Sequence, residues 1–212
     1  MKFDLKMTDE LLATTRAVRR RLDLNRPVPR SVVNECIELA VQAPTGGNQQ
    51  GWRWVVVDDA QKRKALADLY KAGASTYLAS AEKRAREAGE KQTERVYNSA
   101  NYLIDVLHRV PVHVIPCVEG RPPEGTPVNM LGGYFGSIFP AVWSFQLAAR
   151  SRGLGTVLTT LHLMKEKEAS ELLGIPPNVL QVALLPVAYT TGGDFKRAKR
   201  PPIDKITHWN AW

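Results

Sequence analysis

The stretch APTGGNQQGWRWVVVDD (43–59) decides how this chain is read. Residues 44–51 are small or carry amides, so backbone there can approach a ligand closely, and Asn48 offers both a donor and an acceptor. WRWVVV (52–57) is aromatic and β-branched, the composition of a strand, and Asp58 and Asp59 end it. A strand that leaves such a loop is a place where a fold can present backbone to a bound molecule.

The pattern on either side is helical. Upstream, Val32, Val33, Cys36, Ile37, Ala40 and Val41 recur at three- and four-residue spacings, which predicts a one-faced helix from Arg30 or Ser31. Pro44 ends it, because the residue before a proline avoids the helical region. RPVP (26–29) is a rigid connector, and before it a first helix is expected over Thr8 to Arg21, with Thr8 as its N-cap. Downstream, Asp59 to Lys71 predicts a third helix. Ser75 to Arg109 is polar and helical without a sustained apolar stripe, which suggests a mobile cover hinged at Gly89 that decides acceptor choice. Asn98, Asn101 and Tyr102 are the members of that cover expected to face a ligand. VHVIPCV (112–118) is a second strand, Tyr134 to Arg150 a long apolar helix, and GLGTVLTT (153–160) a turn and strand. Lys165 to Leu173 is a short helix closed by Gly174, and VLQVALLPVAY (179–189) is a long strand. Strands and helices do not alternate regularly enough for a doubly wound sheet. The expected class is α+β: a small central, mainly antiparallel or mixed sheet covered by helices, in one domain over 1–212.

Bulk properties exclude several classes. No apolar run reaches the roughly 20 residues of a membrane helix, and MKFDLKMTDELLATTRAVRRRLD (1–23) lacks the apolar core of a signal peptide, so a cytoplasmic protein is expected. The two cysteines, Cys36 and Cys117, lie in apolar stretches and read as buried thiols. The net charge of +8 raises nucleic acid as a partner, but the cations are dispersed and no nucleic-acid-binding motif accompanies them. His108, His113, His162 and His208 show no metal-ligand spacing, so no metal site is expected. GxSxG, P-loop and GxGxxG patterns are missing. Four segments remain that suit an anionic, flat, polar-edged ligand: TTRAVRRR (14–21), APTGGNQQGW (43–52), GLGTVLTT (153–160) and KRAKRPPID (196–204).

In order and spacing these segments resemble the nitroreductase-like flavoprotein superfamily over nearly the full chain. TRAVR (15–19), PVP (27–29) and APTGGNQQGW stand where that family has RRSxR, PVP and APSxxNxQPW. GSIFPA (136–141), GLGTVLTT, LLGIP (172–176), LLPVAY (184–189) and KRPPID (199–204) follow in the family's order. Thr15 and Ala17 replace an arginine and a serine of the family's pattern, Gly51 replaces a proline, and the asparagine of the central helix is replaced near Trp143.

The resemblance implies a homodimer with FMN in the subunit interface and the C-terminal segment exchanged onto the partner. It implies that the flavin phosphate meets Arg16 and Arg19, with the choice among Arg16, Arg19 and Arg20 open, that Ala17 lies among them, and that Arg200 joins from the chain end. Arginine suits this, because its planar fork binds phosphate oxygens in pairs. Pro44, Thr45, Gly46 and Asn48 would come from the partner, and Leu158, Thr159 and Thr160 would bond the flavin edge. The implied reaction is ping-pong, with NAD(P)H as donor and a nitroaromatic, quinone or similar small molecule as acceptor. No side chain is needed as a general acid. A reductive dehalogenase of the iodotyrosine type is the alternative within the family, although its carboxylate-binding lysine would fall at about Ile104. A flavin-storage protein without turnover is the alternative outside enzymes.

Overall fold

The computed structural model describes residues 2–212. Its helices are α1 (Leu5–Thr14), α2 (Arg30–Ala40), α3 (Ala60–Glu87), α4 (Lys91–Val106), α5 (Val128–Gly136), α6 (Phe139–Ser151) and α7 (Glu166–Leu173). Its strands are β1 (Trp52–Val57), β2 (Val112–Glu119), β3 (Leu154–Thr156), β4 (Val179–Gln181) and β5 (Leu185–Tyr189). The sheet runs β1-β2-β5-β3, with β4 also paired to β2, and every strand pair is antiparallel. This is the expected α+β arrangement of helices around a small sheet.

Both faces of the sheet are buried, which explains why VHVIPCV reads as an unbroken apolar run. Val112, Val114 and Val118 point into one core with α2 and α6, through Cys36, Ala40, Val142 and Phe145. Ile115 and Cys117 point into the other, with Leu66, Tyr70 and Leu78 of α3 and Leu103 and Ile104 of α4. β5 and the residue before it alternate likewise: Leu185 and Val187 face the first core, Leu184 and Ala188 the second. A fully buried side chain such as Leu66 or Leu103 contributes about 1.5–3 kcal/mol.

Several elements differ from expectation, each for a local reason. The first helix ends at Thr14, and its N-cap is Asp4, whose Oδ1 accepts from the Met7 amide at 3.0 Å. The Thr8 hydroxyl donates instead to the Asp4 carbonyl at 2.7 Å. Residues 16–21 are therefore outside the helix; Val18 N–H donates to the Thr156 carbonyl at 2.9 Å, and this pairing outweighs helix propensity. The helix expected over 134–150 is two, because Pro140 has no amide to donate and belongs in a first turn; α6 starts just before it. The strand expected over 179–189 breaks at 182–184. It runs beside β2 where Pro116 accepts from Val182 N–H at 3.0 Å and can return no donor, while Leu184 turns to pair with Thr159.

The polar hairpin is not a loose cover. α3 continues without a break to Glu87, and Gly89, with φ +68°, reverses the chain into α4. Its apolar stripe is built largely of alanine: Ala74, Ala81, Ala85 and Ala100 are buried with Leu78, Leu103, Ile104 and Val106. Small side chains bury well yet score weakly in a hydropathy pattern. Asn98 and Asn101 donate to the Glu82 carboxylate, tying α4 to α3, and Tyr102 lies under the Arg20 guanidinium at 4.7 Å.

Candidate functional site

Two of the four segments meet within one chain. The Val18–Thr156 pairing and the parallel bridge between Ala17 and Thr156 lay TRAVR beside β3, so its arginines stand next to the strand end at Leu158, Thr159 and Thr160. Arg19 is half-buried; it donates to Ser99 Oγ at 3.2 Å, and burial lowers its pKa from the ordinary value. Arg20 donates to Asn98 Oδ1 at 2.8 Å. Arg16 is exposed and donates to the Lys196 carbonyl at 3.0 Å, which links this cluster to the start of the basic tail. Among the described residues the ion pairs run through other cations, so Arg16, Arg19 and Arg20 are in none of them, although the Glu82 carboxylate lies near enough to Arg20 to feel its charge. Ala17, Arg19, Arg20, Ser99 and Phe195 line a cleft of about 190 Å³.

Arg21 differs from its neighbours. It donates to the carbonyls of Thr191 and Asp194, both at 2.9 Å, and stacks on Phe195 at 4.1 Å. It clasps the chain after β5 while also lining the cleft.

At the strand end, Thr159 pairs with Leu184 through both backbone groups, at 3.0 and 2.8 Å. Its hydroxyl lies 3.3 Å from the hydroxyl of Tyr70 on α3. Leu158 and Thr160 are exposed on either side. Arg200 is also exposed, and its guanidinium meets the Lys199 carbonyl at 3.2 Å.

The PTGGN loop belongs to the other core. Gly46 N–H donates to Ser137 Oγ at 3.0 Å, which docks the loop on the junction between α5 and α6. Thr45 Oγ1 accepts from Gln50 N–H at 3.1 Å, and Asn48 Oδ1 from Gln50 Nε2 at 2.9 Å. Gly47, Asn48 and Gln50 all have φ between 50° and 58°. Such left-handed backbone is costly for Gln50 and tolerable for asparagine, and the loop leaves Pro44, Gly46 and Asn48 exposed. Among the described residues no hydrogen bond joins this loop to the arginine cluster: one packs on α5 and α6, the other against β3 and α4.

Tyr70, Ser99, Ser137 and Phe195 escape the sequence reading. Ser137 sits in the GSIFPA motif and could have been found there; Tyr70 and Ser99 occupy ordinary helical positions that carry no signal.

An open antiparallel sheet between helical layers, with a basic cluster at one strand end, defines an α+β fold with a place suited to an anionic ligand. The profile of the nitroreductase family matches residues 12–189, and the chain belongs to that family. Iodotyrosine deiodinase 1 of Rattus norvegicus is 26% identical over 203 residues, covering 93% of this chain and 67% of its own. A protein of Archaeoglobus fulgidus named putative NADH dehydrogenase/NAD(P)H nitroreductase is 22% identical over 182 residues, covering 85% and 83%. Among solved structures, oxidized iodotyrosine deiodinase bound to FMN and 3-iodo-L-tyrosine superposes with a TM-score of 0.72 at 20% identity, covering 95% of this chain and 98% of that one.

Proposed function

We propose that the chain is an FMN-dependent oxidoreductase, assembled as a homodimer, that passes electrons from NAD(P)H to a small oxidised acceptor such as a nitroaromatic or quinone. The observation that carries this reading is the cluster of Arg16, Arg19 and Arg20, which form no ion pair among the described residues, beside the strand end 158–160. The donor set fits a phosphorylated flavin. Guanidinium forks suit the phosphate, and exposed Thr160 and Asn48 suit a ring edge with several acceptors. FMN, when bound, supplies the two-electron chemistry, alternately taking electrons from the donor and releasing them to the acceptor.

The residues of the chain have the remaining tasks. Arg16 and Arg20, joined by Arg200 from the tail, hold the phosphate. Arg19, partly desolvated, would join them at the phosphate, its charge acting there more strongly than in water. Leu158 caps the ring edge, and Thr159 and Thr160 orient it. Pro44, Thr45, Gly46 and Asn48 complete the site of the partner subunit.

Three features support the dimer. α5 buries none of its residues, with Val128 83% and Met130 63% exposed. Gly132, Gly133 and Gly136 lie in this helix, each costing about 1 kcal/mol relative to alanine, with open space where a Cβ would stand. β1 pairs only with β2 among the described residues, which leaves an edge for an exchanged C-terminal segment.

The test is the spectrum of the purified protein followed by anaerobic mixing with NADH and NADPH. Bound flavin that bleaches on mixing and recovers with a quinone or nitroaromatic is expected. Absence of flavin overturns the cofactor, and bound flavin that neither nucleotide reduces leaves the storage reading. Deiodination is favoured by the name of the rat relative, and 3-iodo-L-tyrosine belongs among the acceptors tried. Ile104, the position expected for a carboxylate-binding lysine, is buried in the α4 core.

A further inference from the structure

Tyr70 is among the largest fully buried side chains of the protein, with a relative exposure of 1%. Among the described residues its hydroxyl has one hydrogen-bond partner, Thr159 Oγ1 at 3.3 Å. A buried phenol needs an acceptor, and the nearby charge is the Arg19 guanidinium, which cannot accept. The phenol therefore donates to Thr159 Oγ1, and the threonine's own proton is left free for another acceptor. The Arg19 charge polarises the phenol, and chained hydrogen bonds strengthen one another.

A second observation fixes the distance. One turn along α3, Gly73 is so close to the following segment that a Cβ there would lie 2.6 Å from the Leu161 carbonyl oxygen and 2.9 Å from Met164 Cβ. Helix α3 and residues 159–164 are thus held backbone to backbone, with Tyr70 and Gly73 three residues apart on one face.

We propose that Tyr70 is a positioning residue that turns the Thr159 hydroxyl into a fixed outward donor for an electron-rich edge of the bound flavin, and so favours the reduced over the oxidised cofactor. This rests on the FMN reading above. A donor aimed at charge that grows on reduction binds the reduced form more tightly without reorganising.

The experiment compares the FMN-loaded wild-type protein with Tyr70→Phe, Thr159→Val and the double variant, reading the two-electron potential by equilibration with reference dyes. Tyr70→Phe is expected to keep its flavin and to lower the preference for reduced FMN about tenfold, equal to about 30 mV for a two-electron couple. Thr159→Val is expected to shift the potential the same way, and the double variant no further than Thr159→Val alone. Thr159→Ser, which restores the hydroxyl, is expected to return the wild-type value. An unchanged potential in flavin-loaded Tyr70→Phe overturns the proposal, as do additive shifts in the double variant, which would mark Tyr70 as merely structural. If Tyr70→Phe does not fold, Thr159→Val cuts the same bond from the other end, and an unchanged potential there has the same force. A wild-type protein that binds no flavin defeats the functional reading itself, a different result from flavin bound at an unaltered potential.

Discussion

The Val18 amide donates to the Thr156 carbonyl at 2.9 Å, and this bond places the arginines of residues 16–20 beside the end of β3. The approach depends on Gly155 being a glycine. A Cβ at that position would stand 2.7 Å from Thr190 Cγ2 and 2.9 Å from Val18 Cγ1. Gly155→Ala is therefore expected to cost about 1–3 kcal/mol by overpacking and to push the arginine strand off β3. Thermal unfolding should show a lower Tm, and flavin should be lost on gel filtration. A variant with wild-type Tm and full flavin content would show that the pairing is not what organises the cluster.

The sheet and its motifs were legible because their signals are local. WRWVVV is β1 residue for residue, and Gly174, with φ +68°, closes α7 where the sequence puts a left-handed cap. What was not legible depends on partners distant in sequence. The arginines leave α1 because β3 offers them a strand to pair with, and nothing within residues 14–21 encodes that. The α3–α4 stripe hides in alanines. Tyr70 acquires a role only because α3 crosses Thr159, 89 residues on. For the site, the residue types and their expected division between subunits came with the family resemblance, whereas the bonds that hold Arg19 to Ser99 and Gly46 to Ser137 join positions 80 and 91 residues apart and carry no local signal.

Stability should depend on pH through two histidines. His113 and His162 are both fully buried, and burial lowers each pKa from the ordinary 6.5 to about 4. His113 Nε2–H donates to the Leu107 carbonyl at 2.9 Å; among the described residues its Nδ1 has no hydrogen-bond partner, and neither does either nitrogen of His162. The unfolded chain binds protons first, so stability is complete above about pH 6.5 and is lost as pH falls toward 4. At pH 5 the loss is expected to be about 2 kcal/mol per histidine. Urea unfolding at pH 7.5 and pH 5 measures it, and His162→Leu should remove one share of the slope. Equal midpoints for the wild type at the two pH values would refute the assignment.

Arg200 separates a phosphate-binding tail from a merely basic one. Its guanidinium meets only the carbonyl of Lys199 within the chain, so removing it breaks no ion pair of the fold. If it grips a phosphate, Arg200→Ala should weaken FMN binding about 10- to 100-fold, the worth of a hydrogen bond between charged groups. The Tm of the apo-protein should be unchanged, while the rise in Tm on adding FMN should shrink, because a ligand stabilises only the state it binds. Full flavin occupancy in Arg200→Ala would move the phosphate site away from the tail.

The last expectation concerns α5. Its sequence, VNMLGGYFG, is apolar and carries three glycines, yet none of its residues is buried within the chain. Phe3 and Met7 near the N-terminus and Ile203, Trp209 and Trp212 in the tail are exposed as well. Large apolar surface of this kind, tryptophan included, is enriched where subunits meet. A helix with that glycine content also gains from a second backbone packed closely against it. Met130→Asp, which puts a charge on the 63% exposed side chain of this helix, should convert a dimer into a monomer in sedimentation at micromolar concentration. Because the arginine cluster and the 44–48 loop are unconnected within one chain, the monomer should also lose its flavin, while its Tm without flavin falls only by the loss of the interface. A Met130→Asp monomer that still holds FMN and turns over would place the whole site within a single chain, and the division into two half-sites would have to be abandoned.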